Sequence, residues 1–541
     1  MPSLFSHPIQ LLLIVIVVVP ACVNRQTDSE TVGSRKLAAD LSRLDKESHK
    51  QAEPVLPDQI PADIVSFCSD CHALPNPDSF PREVWYDEIE KGYEFYARSG
   101  RTDLRPPLLQ NVLKFYRQHA PEQIVFPQPA EVDSELRARF KIEQVNWKVP
   151  GQLSPAISCV RWFQMEPDGA SGLVVTDMRD GSINLIQPSP NRSVHRLLGR
   201  VDNPARVTVS DLDQDGQTDF VVSDLGSFSP YDHTLGKVIW LHRRNNVENF
   251  ETTVLASQLG RVADVSVADY AGDNQPDLVV AEFGHRKTGS LRLLTNTSDS
   301  GTTATGTGDS GRLRFESKSL DICPGHMEVL SNDWNGDGNM DFATITSQEF
   351  ECVDLFINDI RKFNQYRVWT GRDLVVGSVG LHLADLDADG DQDILCVNGD
   401  CFDNNFANLS HGIQVMENLG NFRFAEHRLA ELPGAYRAVT GDIDGDNDLD
   451  IIAVANLPTT VYPQSLIDQN PVSILVLEQI GAWQFRPRVL ERGTPRYPAL
   501  ETADFNGDGK IDFAVGTQLF DTDPSNSPAA MLPRLSIWWQ Q

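Results

Sequence analysis

Clustered oxygen donors recur five times along this chain, at Asp211–Asp219, Asp333–Asp341, Asp385–Asp393, Asp442–Asp450 and Asp504–Asp512. Each copy has the form D-x-[DN]-x-D-[GN]-x-x-D. Carboxylates packed this closely repel one another unless a cation sits among them. A tight loop turns side chains 1, 3, 5 and 9 inward, with the carbonyl of position 7 beside them. That is the oxygen-only shell of about six to eight donors that Ca²⁺ prefers. The candidate calcium ligands are Asp211, Asp213, Asp215, Gln217 and Asp219 in the first loop, and Asp333, Asn335, Asp337, Asn339 and Asp341 in the second. The third loop offers Asp385, Asp387, Asp389, Asp391 and Asp393, and the fourth Asp442, Asp444, Asp446, Asp448 and Asp450. The fifth offers Asp504, Asn506, Asp508, Lys510 and Asp512, with Gln217 and Lys510 contributing only a backbone carbonyl. Position 6 is Gly216, Gly338, Gly390, Asn447 or Gly509, residues that tolerate the positive φ of a sharp turn. A sixth copy, Asp269–Asp277, has Ala271 in place of the third donor and is expected to be weak or empty.

A second constellation is Cys68-Ser-Asp-Cys71-His72. C-x-x-C-H is the spacing that covalent haem c attachment needs: two thiols for the porphyrin vinyl groups and an imidazole for the iron. Thioredoxin-like chemistry would place C-x-x-C in a βαβ context, which is missing. A structural zinc would need a second ligand pair, and none precedes Cys159. No Met stands between His72 and Met165 to act as a distal thioether. His119 is either a sixth ligand or a partner for a helix C-terminus, Lys91 and Lys114 are solvated alternatives, and an open iron is the third option. No phosphate-binding glycine loop, nucleophile elbow or paired-His zinc helix occurs. Catalytic residues are therefore unknown, and any enzyme activity would be an oxidoreductase passing electrons to the haem.

Elements must hold these groups. Asp63–Phe67, Arg82–Ala97 and Pro107–His119 carry helical patterns. Each acidic loop instead lies between runs rich in branched residues: Val207–Val209 before the first, and Phe220–Val222, Leu278–Val280, Ile394–Cys396, Ile451–Ala453 and Phe513–Val515 after successive copies. The loops recur every ~50 to 65 residues, the period of four-stranded repeats. With a similar run at Gly172–Asp177, whose turn at Met165–Gly169 has lost its carboxylates, seven units are expected. Seven such units close into a β-propeller, which hides strand edges by radial repetition.

The loops and their apolar followers resemble the FG-GAP/VCBS repeats of integrin-α-like propellers over roughly residues 150 to 541. That resemblance implies calcium at the matching loop positions and says little about the ligand. Residues 58–122, through Cys68, Cys71 and His72, resemble a small cytochrome c domain, which implies covalent haem. The expected fold is mainly β: a seven-bladed propeller with Ca²⁺-binding hairpin loops, preceded by a small all-α domain. Its divisions are a signal peptide at 1–21, a flexible tether at 22–57, the haem domain at 58–122, a linker at 123–140 and the propeller at 141–541.

The net charge of −30 excludes nucleic acid and anionic membrane surfaces as partners. Ile9–Val19 is apolar, and Val19-Pro-Ala-Cys22 reads as a bacterial lipobox with Cys22 lipidated; plain secretion is the alternative. The expected address is the bacterial cell envelope, periplasm or surface. There, Cys323/Cys352 and Cys396/Cys401 are expected as disulfides, with Cys159 left over. The leading functional expectation is an exported haem c electron-transfer protein whose propeller binds a protein, glycan or small molecule. The alternative is a binding or adhesion propeller with a sensory or vestigial haem domain.

Overall fold

The computed structural model describes residues 60–541 except 71, 150–152, 165–170, 244–248, 299–312, 361, 373, 494 and 520–531. The expected signal peptide, Cys22, the tether, Cys71, the degenerate turn at 165–169 and most of the Ser/Thr/Gly-rich stretch near 300 lie outside the described residues.

Seven four-stranded antiparallel sheets stand around one axis, as the repeat count predicts. In numerical order, blades 1 to 6 span residues 157–200, 204–259, 262–321, 326–370, 378–431 and 435–492. Blade 7 takes three strands from 499–540 and its fourth, outermost strand from Phe140–Val145, which pairs with Leu535–Gln540 from Phe140↔Gln540 to Val145↔Leu535. The chain thus seals its own ring. Second strands such as Asp219–Asp224, Asp341–Thr346 and Asp450–Ala455 are buried at every position, because neighbouring blades cover both faces. Outer strands such as Phe315–Asp321 are mostly exposed and polar. The acidic loops all join first strands to second strands, so they share one end of the ring. Loops joining second to third strands share the opposite end.

In blades 1 to 6 the register between first and second strands shifts after the opening pair, as between Pro204 and Arg206 or His326 and Glu328. A bulge there re-aims the residues that follow it. Among those residues are Arg206, Asp264, Glu328 and Arg437.

Three helices precede the ring: α1 (Ala62–Cys68), α2 (Trp85–Ser99) and α3 (Leu109–His119). Gly100, at φ 72°, ends α2 in the left-handed conformation that glycine adopts without strain. Their shared core is Ile64, Phe80, Trp85, Ile89, Val112, Leu113, Phe115, Tyr116 and Ala120. This small domain docks on the end of the ring opposite the acidic loops. Phe80 meets Phe406 edge to face at 5.3 Å, Asn408 donates to the Ser79 carbonyl, and the Arg286 guanidinium lies 4.4 Å from the Phe95 ring.

The expected linker is packed rather than loose. Ile124 and Phe126 are buried with Cys401, Ala407, Leu457, Val461 and Leu466. Asp133 then caps helix α4 (Ser134–Ala138) through the Leu136 amide and pairs with Arg488 at 2.8 Å, which aims the closing strand at blade 7.

Neither expected disulfide forms. Cys352, Cys396 and Cys401 are free thiols, as are Cys68 and Cys159. Cys396 and Cys401 pack inside two apolar clusters as small hydrophobic groups, and Cys352 is likewise buried. Cys323 is disulfide-bonded, to none of these five.

Candidate calcium loops and the opposite face

In the acidic loops, position 1 is the hub of the turn. The Asp211 carboxylate accepts from the amides of Asp215 and Gly216, and Asp442 accepts from Gly445, Asp446 and Asn447. Asp333, Asp385 and Asp504 repeat the arrangement. Position 9 braces the loop against its blade. Asp450 accepts from the Ile443 amide on one oxygen and from the Gln479 amide of the third strand on the other. Asp341, Asp393 and Asp512 do the same.

Three loops bring the carboxylates of positions 1, 3 and 9 together, with ligand atoms within 4.8 Å of one another: Asp211, Asp213 and Asp219; Asp385, Asp387 and Asp393; Asp442, Asp444 and Asp450. In the other two, the third position is Asn335 or Asn506, whose amide nitrogens donate to Asp337 and Asp508. Position 5 turns back on its own loop. Asp215, Asp337, Asp389, Asp446 and Asp508 each accept from the amide two residues on. So positions 1, 3 and 9 come together in three loops, while position 5 stands outside those trios.

Position 9 sits where burial disfavours a carboxylate's charge. Burial pushes Asp219 up to about 7, and Asp341, Asp393, Asp450 and Asp512 up to about 6. Asp213 rises to about 6 through burial and then its neighbour Asp215. Oδ1 of Asp444 and of Asp448 is shielded from water and has no hydrogen-bond partner. Such oxygens carry a desolvation cost that a divalent ion removes. The donor chemistry therefore fits Ca²⁺. In the eroded loop, Asp269 still caps the turn, and Ala271 offers only its amide, to Asp277.

Sequence reasoning identified position 6, where φ is 84° at Gly216 and 74° at Asn447. It missed position 4, also left-handed at Gly272, Gly336, Gly445 and Gly507 and, at some strain, at Gln214 and Ala388. The four glycines at that position were the available signal.

Around the axis the sequence pointed to Arg437 but not to its partner Glu328. Glu328 of blade 4, fully buried, accepts from Arg206 of blade 2 and Arg437 of blade 6 at 2.7 Å each, and from the Leu381 amide of blade 5. Despite burial, the two guanidiniums hold its carboxyl down at about 2. Nearby, Asp264 accepts from the Val329 amide and Glu501 from the Trp162 amide. Three histidines meet hydroxyls: His382 bonds Thr440 of the next blade, His326 meets Thr346, and His233 bonds Ser227.

At the haem-like motif, His72 places Nδ1 against the Ala73 carbonyl at 2.7 Å, which leaves Nε2 for other use. Cys68 ends α1 half-buried, its thiol pushed up to about 11 by burial. The imidazole suits an iron ligand, but the packing does not suit a porphyrin. Trp85 and Tyr116 lie 4.3 Å apart in a closed aromatic core, and Phe67 rests on Tyr93 and Tyr96. Cavities of about 570 and 380 Å³ lie elsewhere, beside Arg82–Lys114–Arg117 and beside Phe126–Tyr462. His119 bonds the Phe115 carbonyl within its own helix, and Lys91 pairs with Glu88.

Among the described residues, no helix is long and apolar enough to cross a membrane. Comparison with curated proteins finds no match. A sequence family described as FG-GAP-like repeat matches residues 211–280, the stretch from the first acidic loop to the strand beyond the eroded one, so this part of the ring is FG-GAP-like in sequence as well as in its turn and strand order.

Proposed function

We propose that this protein is an exported binding module, a propeller riveted by Ca²⁺ on one end and presenting its partner-binding surface on the other. The observation that carries the binding reading is the apolar character of the loops opposite the calcium end. Tyr231, Leu235, Leu409, Tyr462 and Leu532 are 37 to 52% exposed there, all on connections between second and third strands. Exposed apolar side chains on the loops of four blades at this end suit a partner-binding surface. The match to an FG-GAP-like repeat supports the same reading. The bound Cys323 suits an oxidising compartment, as the lipobox-like Val19–Cys22 does in sequence. The closed helical core gives the electron-transfer alternative no support.

Two measurements test the proposal. Excess EGTA should lower Tm by at least about 5 °C, and re-added Ca²⁺ should restore it, since an ion bound only by the folded state stabilises by mass action. An unchanged Tm would remove calcium from the account. A glycan and peptide array should give a ligand whose retention is lost in the Tyr231→Ser/Tyr462→Ser double variant at unchanged Tm. A ligand retained by that variant places binding on another surface.

A further inference from the structure

Arg261 stands where the repeat calls for something small. It precedes the first strand of blade 3, and in register the other blades carry Ala156, Asn203, Gly325, Gly377, Gly434 or Pro498 at that point. The fold therefore does not require a guanidinium here. Yet the side chain is only 8% exposed, and its Nε is shielded from water with no acceptor. Its guanidinium lies 5.8 Å from the centre of the Phe283 ring. Asp232, a nearby acid on the neighbouring blade's loop, is already engaged by the amides of Arg286, Lys287 and Thr288 and by the Thr288 hydroxyl. Asp403 acts on Arg261 only through its charge at a distance, with no ion pair between them. A largely buried guanidinium lacking its anion is unfavourable, and a bound anion removes that cost.

We propose that Arg261 is the anchor of a binding site, at the ring end that carries the helical domain, for the carboxylate of a small organic acid. A carboxylate matches the planar fork of arginine with two parallel hydrogen bonds. One cation flanked by Asp403 suits a single negative charge better than a phosphate dianion. Phe283 supplies an aromatic wall for the organic part. The site deepens the binding reading above, since it lies on the same end of the ring.

Calorimetry with benzoate and galacturonate as probes, and methyl galactoside and inorganic phosphate as controls, tests it on the full-length protein. At least one carboxylate should bind, and Arg261→Gln should weaken it at least ~30-fold while Tm stays level or rises, because an unpaired buried charge is gone. Asp403→Asn should strengthen binding by removing a like charge. If neither probe binds, if phosphate binds equally well, or if Arg261→Gln leaves carboxylate binding intact, the assignment fails. If Arg261→Gln and Asp403→Asn both lower Tm, the two residues form an internal ion pair and the site is refuted. Array ligands that ignore Arg261→Gln would overturn this site alone, whereas an array without any ligand counts against the binding reading itself.

Discussion

Within one acidic loop, identical side chains do different work. Asp442 holds three backbone amides, whereas Asp444 leaves an oxygen without a partner. Asp442→Ala should therefore lower Tm both in Ca²⁺ and in EGTA, by about 1 to 3 kcal/mol of lost turn bonding without the ion. Asp444→Asn should lower it only in Ca²⁺. Equal losses in both media for the two variants would show that the trio holds no ion. The sequence displayed positions 1, 3, 6 and 9 because each depends on residue type within nine residues. Position 5 also engages the amides that follow it, a property of the turn's path that the D-x-D spacing does not encode. Arg261 was invisible for a related reason: its meaning comes from the six blades that lack it.

At the scale of elements, local pattern served well and long-range pairing poorly. The three helices were legible from apolar spacing, with ends displaced by a few residues: Arg82–Ala97 is observed as Trp85–Ser99, because the chain from Pro81 to Val84 forms a turn before the helix begins. The closing strand was not legible. Phe140–Val145 carries no acidic loop, and its partner Leu535–Gln540 lies at the far end of the sequence. Leu136, 1% exposed among Phe140, Leu490 and Trp538, sets the approach of that strand. Leu136→Ala should cost about 2 to 5 kcal/mol in urea unfolding. A loss under 1 kcal/mol would mean the preceding helix does not guide closure.

For the whole molecule, Glu328 joins blades 2, 4 and 6 across the axis. Its folded carboxyl sits near 2, below the 4.5 of an unperturbed glutamate, so it contributes stability that is present above pH 4.5 and lost as pH falls toward 2. Glu328→Gln should destabilise the ring by about 3 to 5 kcal/mol at neutral pH, leaving two guanidiniums facing a neutral amide. It should also flatten the fall of Tm between pH 4.5 and 2; a slope unchanged from the parent protein would assign acid lability to other groups. Peptide mapping of the unfolded, unreduced chain should find Cys323 cross-linked and Cys352, Cys396 and Cys401 open to alkylation. A Cys323–Cys352 peptide would contradict the packing described. A cross-link from Cys323 to Cys71 would leave the C-x-x-C-H motif one thiol short of haem attachment.

The latch of the ring has a temporal consequence. Its two halves, Phe140–Val145 and Leu535–Gln540, emerge from the ribosome at opposite ends of synthesis of this region. The earlier strand must wait, unpaired, until the last strand of blade 7 has been made. Circular closure is thus deferred until residues 535–540 have been made, and six blades can form while the ring is still open.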